Sequence, residues 1–365
     1  MSEWQTFCLK DLGKIVGGAT PSTNNPKNYG NKIRWITPKD LSTLQGRYIK
    51  KGSRSISRLG FKSCSCVLLP KHAILFSSRA PIGYVAIAKK RLCTNQGFKS
   101  IIPNKKIYFE FLYYLLKYHK DNISNIGGGT TFKEVSGATL GLFKVKIPPT
   151  YYEQQKIART LSILDQKIEN NHKINELLHT LAYKIYEYYF KYKPKNAKLE
   201  QIIIENPKSS IMVKNAQKTQ DKYPFFTSGD NILFYPKAII DGRNCFLNTG
   251  GNAGIKFYVG KASYSTHTWC ICANEFSDYL YLLLSSIKTH INQSFFQGTS
   301  LKRLQKNLLK KYPIYMPSTH EIKKFNQIIM PLLTLISINT RTSKKLEQIR
   351  DFLLPLLLKQ QVKPK

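Results

Sequence analysis

Apolar residues recur at alternating spacings of three and four positions in two stretches of the chain, residues 148–190 and residues 316–358. The two stretches align without a gap at an offset of 168 residues, which places Glu153 on Glu321. Apolar spacing of this kind, sustained here over five heptads, is typical of a coiled-coil seam. The pattern therefore predicts two long helices of the same length that belong to an internal repeat.

The middle of each seam is polar, whereas the positions on either side are apolar. The first seam has Asn171 and Asn175 at its centre, and the second has Asn339 and Ser343. A polar group that is buried in a seam must find a polar partner, and this requirement fixes the register of the pair. We expect the helices to pair antiparallel, with Asn171 or Asn175 facing Asn339 or Ser343. The alternative is that each helix packs separately on its own domain.

Short β-forming runs and one aromatic, leucine-rich helix occupy each of the two segments outside the long helices. Residues 1–147 are named the first globular segment and residues 193–315 the second globular segment, and the helical segments are 148–192 and 316–365. This arrangement predicts an α/β (α+β) protein in which two globular domains are separated by a pair of long antiparallel coiled-coil helices, with a pseudo-two-fold internal repeat.

The net charge adds a functional class to this architecture. Lys and Arg number 57 against 21 Asp and Glu, and the formal net charge of +36 indicates a polyanionic partner. The two globular segments hold +19 and +10 of this excess, whereas the first helical segment holds only +1. We therefore expect the globular segments to contact nucleic acid and the first long helix to act as a spacer.

Membrane binding is the weaker interpretation of the same charge. Residues 325–340 are uncharged, but they contain two Asn, a Gln and a Pro and fall short of a membrane-spanning segment. The N-terminal sequence lacks the apolar core of a signal peptide. We therefore expect a cytoplasmic protein that does not bind a membrane.

The residue patterns of catalytic and metal sites are missing from the sequence. It has no phosphate-binding GxxxxGK[ST] loop, and its seven cysteines lack the paired spacing of a zinc site, which favours reduced and buried thiols. Asp165 and Glu321 each stand two residues before a lysine, as some nuclease carboxylates do, but we expect both to lie on solvated faces of the long helices. The sequence therefore predicts no catalytic residue, no metal and no cofactor.

Candidate DNA-binding residues occur in both globular segments beside glycines, which let a backbone approach a partner closely. Lys and Arg anchor phosphates, while Asn, Gln, Arg, Ser and Thr can read base edges. The alternative for each residue is a turn or cap position with a structural hydrogen bond. The candidates in the first globular segment are Ser77, Ser78, Arg79, Asn95, Gln96, Lys99, Thr130, Thr131 and Lys133. Those in the second globular segment are Thr249, Asn252, His267, Thr268, Thr299, Lys302 and Arg303.

Short motifs along the whole chain resemble the specificity subunits of type I restriction–modification enzymes. The most specific of them is EQQKIA, which stands at the start of the first long helix. The motifs are residues 17–22 (GGATPS), 35–41 (WITPKDL), 79–83 (RAPIG), 95–99 (NQGFK), 129–131 (GTT), 147–148 (IP) and 153–158 (EQQKIA).

This resemblance implies two target-recognition domains, each reading half of a bipartite site in double-stranded DNA. It also implies that the paired helices set the spacing and dock methyltransferase subunits, while methylation and cleavage belong to the methyltransferase and restriction subunits. The second half departs from the family pattern, because residues 321–325 (EIKKF) replace the EQQKIA run and no Trp-Ile-Thr-Pro element is present. Two other functions share the basic charge, an RNA-binding or ribosome-associated scaffold and a self-sufficient nuclease.

Overall fold

Two long helices and many short strands make up the chain, which the computed structural model describes over residues 3–129, 133–216, 222–229 and 232–363. This mixture confirms the predicted α/β class. Within those four ranges no helix is long and apolar enough to span a membrane.

Contacts within the chain define two units. The first unit comprises Met1–Asn170 and Lys344–Lys365, and the second unit comprises Asn171–Ser343. Each unit therefore contains one globular segment together with part of both long helices.

The first globular segment consists of short elements around a five-stranded sheet. They are β1 (Gln5–Cys8), α1 (Leu9–Leu12), β2 (Gly13–Gly17), β3 (Tyr29–Ile36), α2 (Pro38–Ser42), β4 (Tyr48–Ile49), β5 (Arg54–Ile56), α3 (Arg58–Lys62), β6 (Ile74–Phe76), β7 (Val85–Ala88), β8 (Cys93–Thr94), β9 (Lys99–Pro103), α4 (Phe109–Asn125), α5 (Gly137–Leu142) and β10 (Lys144–Ile147). The strand order is β2-β9-β6-β7-β4 in this sheet and β5-β3-β8 in a smaller one. Phe76 and Ile87 pack in one core with Phe111 and Leu115 of α4, and each such burial contributes about 1.5–3 kcal/mol.

The first long helix, α6 (Tyr151–Tyr186), continues into a π-helical turn at Glu187–Lys191. It begins with a side-chain cap. Thr150 Oγ1 accepts a hydrogen bond from the N–H of Glu153 (3.2 Å), and the Thr150 hydroxyl donates to the Glu153 carboxylate (3.0 Å). A cap of this kind satisfies a first-turn N–H and contributes about 1 kcal/mol to helix stability.

The second globular segment repeats the same kinds of element. They are β11 (Ala197–Lys198), β12 (Ile204–Glu205), α7 (Val213–Ala216), β13 (Tyr223–Phe226), β14 (Leu233–Tyr235), β15 (Arg243–Asn248), β16 (Ile255–Val259), β17 (Ser263–Tyr264), β18 (Thr268–Cys272), α8 (Ser277–Ser286), α9 (Lys288–Ser294), β19 (Phe296–Gln297), β20 (Arg303–Leu304), α10 (Lys306–Lys310) and β21 (Pro313–Ile314). The strand order is β12-β18-β15-β16 in the larger sheet and β14-β13-β17 in a smaller one.

The two globular segments share one topology, which confirms the internal repeat. The order β12-β18-β15-β16 matches β2-β9-β6-β7, and β14-β13-β17 matches β5-β3-β8. Phe225 and Phe226 of β13 pair in parallel with β17, as Trp35 and Ile36 of β3 pair in parallel with β8. The second globular segment therefore keeps this strand although it lacks the Trp-Ile-Thr-Pro sequence.

The second long helix, α11 (Thr319–Leu358), begins with the same cap as α6, because Ser318 Oγ accepts a hydrogen bond from the N–H of Glu321 (3.3 Å). The N–H of Ser318 donates to Glu321 Oε2 (2.9 Å), and the Tyr315 hydroxyl donates to the same oxygen (2.8 Å). These hydrogen bonds, the one from the Ser318 backbone first, lower the pKa of Glu321 to about 2. Glu321 therefore serves as a helix cap.

The long helices pack against each other in opposite directions within each unit. In the first unit Ile157 and Leu161, near the start of α6, share a core with Leu354 and Leu357, near the end of α11. In the second unit the core that contains the end of α6 also contains the beginning of α11, through Ala182, Tyr186, Phe325 and Ile329. Both sets of contacts require an antiparallel pair.

The polar residues at the centre of the seam bond to one another. Asn171 Nδ2 donates to Ser343 Oγ (3.1 Å), and Asn339 Nδ2 donates to Asn175 Oδ1 (3.0 Å). Because Asn171 corresponds to Asn339 and Asn175 to Ser343 at the repeat offset, the two hydrogen bonds are equivalent by the pseudo-two-fold symmetry. Pairing satisfies amides that would otherwise be costly to bury.

Arg47 is a buried cation that ties the first globular segment to α6. Its side chain is 3% exposed, and it donates from Nη1 to Glu110 of α4 (3.0 Å) and from Nε to Glu169 of α6 (3.1 Å). Burial lowers the pKa of Arg47, but Tyr114 and the carboxylates raise it by more, so the net shift is upward and the guanidinium stays charged.

Asp165 belongs to the same network, and the expectation that it lies on a solvated helix face is wrong. It accepts a hydrogen bond from the Tyr114 hydroxyl of α4 (2.6 Å) and another from Arg350 Nη1 of α11 (2.6 Å). The side chains of Asp165 and Arg350 are only 5% and 12% exposed. The carboxylate therefore joins α4 to both long helices within the first unit.

Arg243 makes the corresponding tie in the second unit. Its guanidinium pairs with Asp278 of α8, while Nη1 donates to Thr334 Oγ1 (3.0 Å) and Nη2 to the Met330 carbonyl oxygen (3.2 Å) of α11. Burial raises the pKa of Asp278 by more than the Arg243 hydrogen bonds lower it. Asp278 stands at the repeat position of Glu110, so the acid is equivalent in the two units although the arginine is not.

Replacing Arg47 should destabilise the first unit. Arg47→Met removes the cation that pairs with the buried Glu110 and the half-buried Glu169, and removing one partner of a buried ion pair costs about 3–5 kcal/mol. Hydrogen exchange at increasing urea concentrations, recorded separately for the amides of each unit, would measure the loss of unfolding free energy. The control is Lys51→Met, which changes an exposed cation and should shift stability by less than about 0.5 kcal/mol. An Arg47→Met cost below about 1 kcal/mol would contradict the role of the buried network.

Candidate nucleic-acid interface

Three loops of the first globular segment meet where β6 ends and β9 begins. These loops, named the first loop cluster, are residues 77–83, residues 95–99, and residues 127–129 with 133–135. The N–H of Ser78 donates to the Gly97 carbonyl oxygen (2.8 Å), and the N–H of Val135 donates to the Ser78 carbonyl oxygen (3.0 Å). Residues that are far apart in the sequence are thus held side by side by backbone hydrogen bonds.

Ser77 and Ser78 form the buried base of this cluster. Ser77 Oγ donates to the Pro81 carbonyl oxygen (2.8 Å) and accepts from the N–H of Tyr84 (2.8 Å). Both serine side chains are fully buried, so the structure corrects the expectation that they contact DNA. They support the loop instead. Two other candidates, Thr130 and Thr131, lie outside the described residues.

Asn95 and Gln96 form a tight turn against the GGATPS motif. Asn95 Oδ1 accepts from the N–H of Gly97 (3.0 Å), which closes an Asx turn, and the Thr20 hydroxyl donates to Gln96 Oε1. A Cβ added at Gly18 would lie 2.0 Å from the Asn95 carbonyl oxygen, so this approach requires glycine. Gln96 remains exposed, and its amide nitrogen can bond to a base edge.

The charged residues of the cluster surround one carboxylate. Glu134 accepts from Lys99 Nζ (3.2 Å) and from Arg79 Nη1 (3.4 Å), and Lys133 beside it is exposed. The cluster therefore presents three cations with one acid among them. Glu134 and Thr20 were not among the predicted residues. Thr20 lies in a motif that the sequence did single out, whereas Glu134 has no local signal.

Three loops of the second globular segment meet in the same way. These loops, named the second loop cluster, are residues 249–252, 265–268 and 297–303. The N–H of Gly251 donates to the Lys302 carbonyl oxygen (2.9 Å), and Thr249 Oγ1 donates to the His267 carbonyl oxygen (2.8 Å). Five candidates of this cluster have exposed side chains, namely Asn252, His267, Thr299, Lys302 and Arg303.

Thr268 and Thr249 serve the fold of this second cluster. Thr268 is 7% exposed, and its hydroxyl is within 2.9 Å of Ser265 Oγ and donates to the Phe226 carbonyl oxygen (3.3 Å). The expectation that Thr268 contacts DNA is corrected for the same reason as for the two buried serines. Thr249 is half-buried and uses its hydroxyl to hold the neighbouring loop.

A hairpin of the same length occurs in both clusters. Gly128 pairs antiparallel with Glu134 in the first cluster, and Gln297 pairs antiparallel with Arg303 in the second. The residues between these pairs read GTTFK in the first hairpin and GTSLK in the second. Both begin with a glycine at positive φ, 117° and 131°, a region that favours glycine. Lys133 and Lys302 therefore occupy equivalent positions.

The exposed groups of the two clusters suit a nucleic acid. Cations can contact phosphates, and amide, imidazole and guanidinium groups can bond to base edges. In the part of the chain that the structure describes, no three His, Cys, Asp or Glu side chains come together as metal ligands.

The sequence matches the family model described as type I restriction modification DNA specificity domain over residues 1–180 and again over residues 195–348. It is 34% identical to the specificity subunit of the type I restriction enzyme MjaIX from Methanocaldococcus jannaschii, over 98% of this chain and 93% of that protein. It is also 30% identical to the HindI specificity subunit from Haemophilus influenzae, over 46% of this chain and 37% of that protein.

One solved structure has a similar fold over nearly the whole chain. It is the S subunit of a type I restriction–modification system from M. genitalium, with a TM-score of 0.63 and 18% sequence identity. The alignment covers 98% of this chain and 96% of that chain.

The two hairpin lysines should make matched contributions to DNA binding. We expect Lys133→Ala and Lys302→Ala each to remove one phosphate contact and so to reduce the log–log slope of affinity against salt by about 0.9. We expect a slope of about −5 for the unaltered chain, as for roughly six neutralised phosphates. Fluorescence anisotropy at several salt concentrations would measure these slopes.

The control for the hairpin lysines is Lys105→Ala. This exposed lysine follows the end of β9 that is distant from the first loop cluster. Its replacement should therefore leave the salt slope of DNA affinity unchanged. Equal slopes for all three variants and the unaltered chain would contradict the placement of the interface.

Proposed function

We propose, from the premise that this chain belongs to the type I restriction–modification DNA specificity family, that its two loop clusters each read one half of a bipartite DNA site. The chain is a specificity subunit and recognises DNA sequence. The single observation that supports two half-sites is the shared topology of the globular segments, which ends in the same GT-x-x-K hairpin twice.

The side chains around the two hairpins favour different target bases for the two clusters. The first cluster presents Asn95, Gln96 and Arg79, whereas the second presents Asn252 and His267. A guanidinium can form bidentate bonds with guanine and an amide nitrogen can donate to a base acceptor, and one base contact discriminates by about 1–3 kcal/mol. The same backbone frame with different exposed groups is therefore suited to two unlike half-sites.

The long helices are proposed to set the distance between the half-sites. Both helices belong to both units, and they are the long elements common to the two. Their register is fixed by the polar pairs at the seam, and each globular segment is tied to a helix by an arginine, Arg47 or Arg243. These contacts, each within one unit, support the long helices as the proposed spacer.

We propose that the chain has no catalytic role of its own and that methylation and cleavage belong to partner subunits. Specificity subunits of this family associate with methyltransferase and restriction subunits. The proposed docking sites for the methyltransferase are apolar stripes on the long helices that the seam does not cover. On α6 in the second unit the stripe contains Ile174, Leu177 and Leu181, which are 42%, 70% and 47% exposed.

A second, shorter apolar stripe lies on the other long helix. On α11 in the first unit Ile349 and Phe352 are 47% and 67% exposed, and Ile349 stands at the repeat position of Leu181. Apolar side chains at helical spacing are suited to packing against a partner helix. The two stripes share only the Leu181/Ile349 position, and together they support one methyltransferase docking site in each unit. No observation favours the RNA-binding scaffold as a second function.

Selection of duplexes from a random pool tests the proposed function. The chain, in complex with its methyltransferase, should enrich two short conserved half-sites separated by a spacer of constant length and unconserved sequence. Alanine at Arg79, Asn95 and Gln96 together should relax one half-site by about 1–3 kcal/mol per lost base contact. Alanine at Asn252 and His267 should relax only the other. Selection of a single continuous site, or relaxation of both half-sites by either variant, would overturn the proposal.

Leu177→Glu should weaken the complex with the methyltransferase without unfolding the chain. The charge lies on an exposed stripe, so helix content measured by circular dichroism should stay the same while co-purification of the methyltransferase falls. Leu308→Glu is the matched control, because Leu308 is 47% exposed on α10 in the same unit but lies outside the stripe. The docking site is rejected if both variants retain the methyltransferase equally.

A further inference from the structure

The two matched hairpins differ in the sign of one charge. In the first loop cluster Glu134 pairs across the hairpin with Gly128. In the second, Arg303 pairs with Gln297 in the same way. The residues before them are both lysines, Lys133 and Lys302. An acid thus stands in one cluster at the paired position where a base stands in the other.

Glu134 contacts two cations from two other loops. Its Oε1 accepts from Lys99 Nζ at 3.2 Å, and its Oε2 accepts from Arg79 Nη1 at 3.4 Å. The side chains of Arg79, Lys99 and Glu134 are 36%, 21% and 34% exposed, so the group lies at the surface but is partly shielded from water. One carboxylate therefore orients a guanidinium and an ammonium while cancelling part of their charge.

Arg303 has no corresponding restraint in the second loop cluster. Among the residues that the structure describes, no carboxylate lies within ion-pairing distance of Arg303, and its side chain is exposed. The two clusters therefore differ in the charge at the paired position of the hairpin, which is negative in the first and positive in the second. The first presents an oriented and partly neutralised pair of cations, whereas the second presents two exposed cations on one hairpin.

We propose that Glu134 is a positioning residue that gives the first loop cluster its discrimination between cognate and non-cognate DNA. The proposal rests on the function proposed above. Glu134 holds Arg79 and Lys99 in one orientation toward the DNA, and it repels phosphates that approach them in any other register. At the cognate half-site the oriented groups meet acceptors on the bases, and at other sequences the carboxylate opposes binding.

The physical reason lies in the different origins of specific and non-specific affinity. Non-specific affinity comes from phosphate neutralisation, so an acid among the cations lowers it at every sequence. Specific affinity adds base contacts, which depend on the placement of the donors. A carboxylate that restricts two donors and repels phosphates therefore lowers non-specific affinity more than specific affinity.

The test compares Glu134→Gln with the unaltered chain, each in complex with the methyltransferase. The duplexes are the selected cognate sequence and the same duplex with the first half-site scrambled, at several salt concentrations. We expect affinity for the scrambled duplex to rise about threefold to tenfold and its log–log salt slope to steepen by about 0.9. The ratio of cognate to scrambled affinity should fall about tenfold, and selection should relax the first half-site alone.

Glu200→Gln is the matched control for loss of one negative charge. Glu200 is exposed, lies in the second unit and belongs to neither loop cluster, so its variant should keep the affinity ratio. If Glu134→Gln fails to fold, Glu134→Arg provides a second variant, because the equivalent hairpin already ends in arginine. It should lower the ratio further and steepen the salt slope more.

The outcomes separate this inference from the function on which it rests. An affinity ratio that stays within about twofold in a folded Glu134 variant overturns the inference and leaves the proposed function intact. A ratio that falls equally for Glu134→Gln and Glu200→Gln also overturns it, because net charge alone would then explain the effect. If the unaltered chain selects no bipartite site, the proposed function itself has failed.

Discussion

Asn171 donates to Ser343 and Asn339 donates to Asn175 in the middle of a seam that is apolar on both sides. Leucines and isoleucines pack almost equally well after a slip of one heptad, but a slipped register would leave these amides buried without partners. The cost of an unsatisfied buried amide, about 1–3 kcal/mol each, selects one register. The rest of the structure depends on this choice, because both units are built on the same two helices.

One arginine in each unit, the buried Arg47 or the half-buried Arg243, joins the globular segment to a long helix. Arg47 and Arg243 come from different places in their segments, yet each bonds to an acid on the aromatic helix and to a long helix. A buried ion pair contributes little net stability compared with an apolar contact, but it tolerates no change of partner. In each unit the ion pair therefore serves mainly to fix the orientation of the sheet relative to the long helices of that unit.

The loops at the end of each sheet combine a constant frame with variable side chains. The backbone hydrogen bonds, the buried Ser77 and Thr268, and the glycine at the start of each hairpin belong to the frame. The exposed residues around the frame differ between the two clusters. The hydrogen bonds of the frame therefore do not depend on the exposed side chains, which can be replaced without loss of the fold.

The sequence by itself determined the features that depend on local periodicity and composition. It predicted two long helices, their repeat, their antiparallel pairing through Asn171 and Asn175, and a nucleic-acid partner, because heptad spacing and net charge are visible along the chain. Only the tertiary structure decided which predicted residues are exposed. Asp165, Ser77 and Thr268 look like surface residues in the sequence but are buried, because their partners lie on distant elements. The pairing of Glu134 with Arg79 and Lys99 is also a product of the fold, because it joins loops that no local pattern relates.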